Sequence, residues 1–363
     1  FSPPKSLPRV VVLFHAVVSL PLLALWRALY AVIFTMPQFQ QRALVMGAGW
    51  AGSTIVEAIC EYSPAEYKLV GYVDDDPNKQ QQVVAGVPVL GTRENLVDIV
   101  RREGVAEIIL AVTHTLHGDL LQALIDCSDR GVQITPMTTL YEQLSGRVAV
   151  EHIGNNWLLD LPINGKATLD PYPALKRAIE LIFSLIGVTL SLPLLPLVAL
   201  AIYLDCPGPI FYRQERLGRG GRLFRVIKLR TMIPDAEKGE AQWARENDSR
   251  VTRVGHFLRR ARLDEIPQLI NVLRGDMSLI GPRPERPEFV AQLEQQIPFY
   301  RTRLRVRPGL TGWAQVKYRY GNSVEDALIK LQYDLYYIKH QSAYLDLLIF
   351  FKTIGVVLRF EGT

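Results

Sequence analysis

Cysteine is scarce: Cys60, Cys127 and Cys206 are the three in 363 residues, far apart and without the short spacing that metal ligands need. An odd, scattered set excludes a disulfide scaffold and a zinc site, and fits a chain kept in a reducing compartment. Internal repeats and low-complexity segments are also missing. Charged residues make up 21% and hydrophobic ones 48%, with a mean hydropathy of +0.10. That balance excludes disorder and a collagen-like fibre. The first apolar stretch lacks a small-residue cleavage site, so it does not read as a secretory signal peptide. The chain opens on Phe1 rather than Met, and the expectation is that an upstream piece precedes it.

What the chain does have is lopsided charge and two long apolar runs. Residues 205–320 carry 23 Lys/Arg against 13 Asp/Glu, a net +10, while the remainder is −5. A basic half of this kind implies an anionic partner: nucleic acid, acidic lipid headgroups or phosphorylated substrates. The first apolar run, Val10 to Phe34, is interrupted by His15, Pro21 and Arg27. It is expected to be a membrane helix running into a short interfacial helix near Arg27, together forming a segment 1–39 left from an N-terminal bundle. The second run, Leu181 to Leu204, has no charge in 24 residues. At 1.5 Å per residue it reaches roughly 36 Å, enough for a ~30 Å hydrocarbon core. Pro193 and Pro196 interrupt it, and basic residues flank both sides: Lys176 and Arg177 before, Arg213, Arg216, Arg219 and Arg222 after. Mid-helix prolines bend a helix, and positive flanks stay on the cytoplasmic face. The expected structure is a re-entrant helix–break–helix over 178–204, broken at Pro193.

At ~100–200 residues per domain, the length predicts two domains or three. Residues 40–150 alternate strand and helix, with strands at Arg42–Met46, Tyr67–Val73, Glu107–Val112 and Val132–Pro136 and helices between them. This predicts an α/β, Rossmann-like parallel-sheet domain. Residues 151–173, rich in Pro, Gly and Asn, read as a linker, and 174–363 as a mainly helical, membrane-embedded domain. Within it, Pro209–Met232 predicts a hairpin turning at Gly218-Arg219-Gly220-Gly221. Helices are expected at Glu237–Glu246, at Val254–Leu273 closed by Gly275, and at Tyr344–Leu358 along the membrane interface.

Several residues could carry chemistry. Gly47, Gly49 and Gly52 follow a strand and open a helix with dinucleotide-loop spacing, and Asp74 lies 22 residues on, where a ribose-binding acid would sit. The glycines serve either tight strand–helix packing or a bound nucleotide, NAD or another. Strand alternation places Lys228 and Arg230 on one face, as a phosphate clamp requires. Asp264-Glu265 follows Arg259-Arg260-Ala261-Arg262, and adjacent carboxylates can divide the labour of attack and orientation. They can equally complement a helix dipole. Gly281-Pro282-Arg283-Pro284-Glu285 is a rigid turn presenting one guanidinium, and Arg307-Pro308-Gly309 opens another.

From about Tyr172 to Leu358 the chain resembles the bacterial polyprenyl-phosphate sugar-1-phosphate transferases, the monotopic phosphoglycosyl transferases. The resemblance rests on Cys206-Pro207-Gly208-Pro209 with Arg213-Gln214-Glu215-Arg216, on Lys228-Leu229-Arg230-Thr231-Met232, on Leu263-Asp264-Glu265-Ile266-Pro267-Gln268-Leu269, and on the run from Asn271 to Pro284. It implies a two-step reaction in which Asp264 attacks the β-phosphate of a UDP-sugar, expels UMP, and passes the sugar phosphate to undecaprenyl phosphate. This would start exopolysaccharide, O-antigen or capsule assembly. Glu265 would assist, and Mg²⁺ held by Asp264 and Glu265 would join Lys228, Arg230, Arg262, Pro282, Arg283 and Pro284 around the substrate. The resemblance further implies a homodimer among bilayer lipids at the cytoplasmic face of the inner membrane, with no nucleic-acid partner and no organic cofactor in the catalytic domain. The family's break has Ser before Pro, whereas here Leu192 precedes Pro193 and Ser191 lies one position off. A membrane-tethered, NAD-dependent nucleotide-sugar dehydratase is the rival reading. It needs a helical Tyr-x-x-x-Lys, and the one match, Tyr172 with Lys176, is expected outside a helix because Pro171 and Pro173 flank the tyrosine.

Overall fold

Ala43 to Met46 are all buried, the pattern of a strand covered on both faces, and they form the centre of a sheet. The computed structural model describes residues 9–34, 40–112, 118–150, 171–234, 236, 248–318, 321 and 323–359. They fall into two units, Phe1–Ser145 and Gly146–Thr363. The first begins with one continuous helix, α1 (Arg9–Phe34), where the sequence predicts a membrane helix and a separate interfacial one. Its sheet comprises β1 (Gln41–Met46), β2 (Tyr67–Val73), β3 (Val83–Val84), β4 (Val87–Gly91), β5 (Glu107–Leu110) and β6 (Gln133–Pro136), in the order β3-β4-β2-β1-β5-β6. All neighbours are parallel except the short β3–β4 hairpin, which the sequence reading does not include. Helices α2 (Trp50–Tyr62), α3 (Leu96–Glu103) and α4 (Gly118–Ser128) connect the strands, and α5 (Met137–Ser145) follows the last.

The second unit starts earlier than expected. Val148 and Val150 are buried in its core, and the Val148 amide donates to the carbonyl of Gln332 at 3.1 Å. Residues 151–170 of the expected linker lie outside the described residues, and Tyr172 and Pro173 already form the first turn of α6 (Tyr172–Ser191). Proline is tolerated there because a first-turn amide has no intrahelical acceptor to lose. Tyr172 and Lys176 therefore do share a helix, contrary to expectation. Both side chains are committed elsewhere: the Tyr172 hydroxyl donates to Asp346 at 2.8 Å, and Lys176 pairs with Asp346 at 2.9 Å and donates to the Ile280 carbonyl at 3.1 Å.

After α6, the chain breaks at Leu192–Leu194 and α7 (Leu195–Asp205) leaves at 61°. Among the described residues no single helix is long and apolar enough to cross a membrane, but this bent pair is so together. Then comes the antiparallel hairpin of β7 (Phe211–Leu217) and β8 (Leu223–Leu229), turning at Gly218–Gly221 as expected. The expected helix Glu237–Glu246 lies outside the described residues. The expected helix Val254–Leu273 is instead three pieces: α8 (Arg253–Arg260), a 3₁₀ turn (Leu263–Glu265) and α9 (Gln268–Arg274). Arg262 takes a left-handed conformation, φ +53°, which ends the first piece, and Pro267 has no amide to continue the ladder. A parallel pair, β9 (Ser278–Ile280) with β10 (Gly309–Thr311), follows, and α10 (Pro287–Gln296), a 3₁₀ segment (Tyr300–Arg305), α11 (Trp313–Lys317), α12 (Val324–Lys339) and α13 (Ala343–Leu358) complete the unit.

One buried side chain fastens the hairpin to the helix behind the Asp264 turn. Asn271 on α9 is fully buried; its Oδ1 accepts from the Ile227 amide at 3.2 Å and its Nδ2 donates to the Arg225 carbonyl at 2.8 Å. Asn271→Ala leaves both β8 backbone groups without a partner. Thermal unfolding in detergent is expected to show a loss of about 2–4 kcal/mol. An unchanged melting temperature would mean that the asparagine does not hold the strand.

Candidate active site

Because Asp264 and Glu265 sit on a tight turn rather than mid-helix, both side chains point inward, each 7% exposed. Glu265 is surrounded by cations. Its Oε1 accepts from Arg283 Nη2 at 2.8 Å and Lys228 Nζ at 3.3 Å, and its Oε2 lies 3.6 Å from Arg262 Nη1. Burial works to raise its carboxyl, but Arg283, Lys228 and Arg262 outweigh burial and hold it well below the usual carboxylate range. Asp264 differs. Among the described residues no hydrogen bond or ion pair reaches its carboxylate. Burial first, and the charge of Glu265 second, push it up to about 6, against the pull of Lys228, Arg259 and Arg283. The environments of two neighbouring carboxylates thus push them apart, Glu265 down and Asp264 up.

Arg216, Val226, Lys228, Gln268, Arg283, Pro284 and Gly309 line a cleft beside this pair. Three of them are cationic, so the cleft suits an anionic ligand with several oxygens. Of the residues singled out in the sequence, Lys228, Arg283 and Pro284 line this cleft. Pro282 is held one residue back, its carbonyl accepting from the Gly309 amide at 2.8 Å. Arg230 takes another direction. The strand ends at Leu229, and the buried Arg230 guanidinium donates to the carbonyls of Cys206 and Pro207. It braces the turn that follows α7 instead of joining Lys228 at Glu265. Arg216 and Gln268 are not among the site residues named from the sequence, although both lie within the quoted motifs. Arg216 donates to the Pro284 carbonyl at 3.2 Å and lies 3.5 Å from Glu285. Pro193 lies at the bend between α6 and α7.

In the first unit, Gly47 has φ +103°, and a Cβ on Gly52 would lie 2.0 Å from the Gly47 carbonyl oxygen. Gly47 and Gly52 therefore leave no room for a side chain, whereas a Cβ on Gly49 would meet nothing within 4 Å. Asp74 turns back onto the same loop: it accepts from the Ala48 amide at 2.7 Å and from Lys79 Nζ at 3.0 Å.

The raised Asp264 carboxyl gives a pH prediction. If the ionised carboxylate is the reactive form, turnover falls as pH drops through about 6, instead of near 4 as for an ordinary aspartate. A pH–rate profile of kcat/KM checks this, and an acid limb near 4 would contradict the burial of Asp264.

A buried carboxylate beside a cation-lined cleft has the charge pattern that an anionic ligand needs. Residues 171–360 match the family model described as "Bacterial sugar transferase", over half of the chain, and the chain belongs to that family. Residues 1–137 match the model described as "CoA-binding domain". Among curated proteins, the chain is 43% identical over 246 residues to the UDP-N-acetylgalactosamine-undecaprenyl-phosphate N-acetylgalactosaminephosphotransferase of Aeromonas hydrophila, covering 67% of this chain and 56% of that one. It is 44% identical over 185 residues to the UDP-glucose:undecaprenyl-phosphate glucose-1-phosphate transferase of Caulobacter vibrioides, covering 50% and 69%. With the Escherichia coli (strain K12) protein of the same name it shares 41% identity over 200 residues, covering 54% and 42%. The chain thus spans about half the length of several of the curated relatives it matches.

Proposed function

We propose that this chain transfers a sugar 1-phosphate from a UDP-sugar to undecaprenyl phosphate, releasing UMP. The observation that carries the proposal is the unpartnered Asp264 carboxylate, set beside a Glu265 that Lys228, Arg283 and Arg262 already neutralise. The names of the relatives supply the substrate classes. In the first step an Asp264 oxygen bonds to the β-phosphorus, and the bond from that phosphorus to the bridging oxygen breaks. UMP leaves with that oxygen. In the second step a phosphate oxygen of the lipid attacks the same phosphorus, the bond from that phosphorus to the Asp264 oxygen breaks, and the carboxylate is restored. Lys228, Arg283 and Arg216 offset the charge on the phosphate oxygens, and Glu265 holds the first two in place.

Mg²⁺ enters on chemical grounds. No group of three or more His, Cys, Asp or Glu that could hold a metal exists among the described residues, and Glu265 faces cations on both oxygens. Asp264 alone offers a free carboxylate, which fits a Mg²⁺ ligated mainly by phosphate oxygens and water. When bound, the ion would neutralise charge on the donor diphosphate.

The membrane arrangement is part of the same proposal. The bent α6–α7 pair would enter and leave one leaflet, with the catalytic turn on the cytoplasmic face. Its exposed side chains Ile182, Leu185, Leu190, Leu197 and Leu204 fit a hydrocarbon surrounding. The test is UMP release in nanodiscs containing undecaprenyl phosphate and Mg²⁺, across a panel of UDP-hexoses and UDP-N-acetylhexosamines. Release with at least one sugar, stopped by EDTA, is expected. Silence across the panel in a lipid-embedded full-length protein would overturn the proposal.

A further inference from the structure

We propose that Arg303, clamped by Asp334, is a positioning residue for Arg283, an inference that rests on the donor site proposed above. Its guanidinium fixes the Arg283 backbone carbonyl and so aims the Arg283 side chain at Glu265 and the donor phosphates. The turn Gly281–Glu285 contains two prolines, so two of its backbone positions have no amide to build an internal ladder. It is held from outside by its carbonyls. That of Pro282 accepts from the Gly309 amide, that of Arg283 from Arg303 Nη2 at 3.0 Å, that of Pro284 from Arg216, and that of Glu285 from the Leu217 amide at 3.1 Å. Arg283 is the middle residue of the turn, so its carbonyl is held by Arg303 while its own guanidinium meets Glu265.

Arg303 is built to hold that carbonyl. It is 7% exposed, and Asp334 on α12 is 1% exposed, with Arg303 Nη2 only 2.8 Å from Asp334 Oδ2. Arg303 Nη1 donates to the Tyr300 hydroxyl at 2.6 Å. A buried guanidinium persists only with a counter-charge and satisfied donors, and Asp334 supplies the charge from a helix whose Leu331, Leu335 and Tyr337 are buried in the core. The path thus runs from a fixed helix, through a planar fork, to one backbone oxygen. Lysine, a point charge with no fork, cannot serve Asp334, Tyr300 and that oxygen together.

The experiment is a double-mutant cycle. Arg303→Lys and Asp334→Asn are each made in the native and the Arg283→Ala backgrounds, and UMP release is measured against UDP-sugar concentration. Backbone hydrogen exchange is followed over residues 281–286. In the native background Arg303→Lys is expected to raise KM roughly tenfold and to speed exchange across the turn. With Arg283 already alanine, the further loss should be under about twofold. Equal losses in both backgrounds would show that Arg303 merely supports the fold, and would overturn the inference, as would an unchanged KM. Should Arg303→Lys fail to fold, Asp334→Asn carries the same readouts. A wild type silent with every UDP-sugar would count against the donor reading alone. Exchange over 281–286 would still decide the positioning, since an unchanged rate in Arg303→Lys rejects it.

Discussion

Asp264→Asn is expected to slow UMP release by at least about 10³-fold while making the protein more stable. The kinetic loss follows because an amide cannot form the proposed acyl phosphate, and Glu265, engaged by Arg283 and Lys228, is no substitute nucleophile. The gain in stability follows from the pKa. Burial, then Glu265, raise the Asp264 carboxyl from an ordinary value near 4 to about 6. Between those values the folded chain binds more protons than the unfolded one, so this group's contribution falls as pH rises through the window. Above it, a buried and repelled charge persists that asparagine removes, a difference of about 1–3 kcal/mol. Thermal unfolding at pH 7.5 should therefore show a higher midpoint for Asp264→Asn than for wild type, and the two curves should converge near pH 4. A lower midpoint would mean that the Asp264 carboxylate has a stabilising partner.

Glu265→Gln moves stability the other way. The neutral amide leaves Lys228, Arg283 and Arg262 close together without their counter-charge. Breaking a buried charge cluster at one member costs about 3–5 kcal/mol, so a clear fall in melting temperature is expected. UMP release should drop by about 10²–10³-fold, because Arg283 and Lys228 lose the group that orients them. Residual activity carries a further signature. Glu265 is the second cause of the raised Asp264 carboxyl, so in Glu265→Gln the acid limb should move below 6. An acid limb that stays put would mean that burial alone sets it. Opposite changes in midpoint from two adjacent carboxylates separate this arrangement from one in which both simply bind a metal.

Much of the first unit follows from local pattern: β2 spans Tyr67–Val73 as expected, and the helix that the Gly47–Gly52 loop opens is α2. The β3–β4 hairpin escapes notice because its strands are only two and five residues long. Local pattern fails wherever a distant group decides. The apolar spacing runs unbroken from Val254 to Leu273, yet one left-handed residue, Arg262, divides it and turns Asp264 and Glu265 inward. Alternation pairs Arg230 with Lys228, but carbonyls of the Cys206–Pro207 turn capture it. Gly146–Val150 looks like the end of the first domain until the Gln332 carbonyl and the Trp313 indole, which donates to the Gly146 carbonyl at 2.9 Å, bind it into the second. Motif resemblance singles out Asp264, Glu265, Lys228 and Arg283. Asn271, Arg303 and Asp334 act through burial, which no single-sequence pattern displays.

The covalent step is best tested without acceptor. Native protein in nanodiscs free of undecaprenyl phosphate is mixed with its UDP-sugar, quenched in acid, digested, and the peptide containing Asp264 is weighed. The expected result is one sugar phosphate on Asp264, equal in amount to a burst of UMP, discharged when undecaprenyl phosphate is added and absent in Asp264→Asn. Release of UMP only when the lipid is present, with that peptide never modified, would instead show a direct transfer and contradict the role given to Asp264.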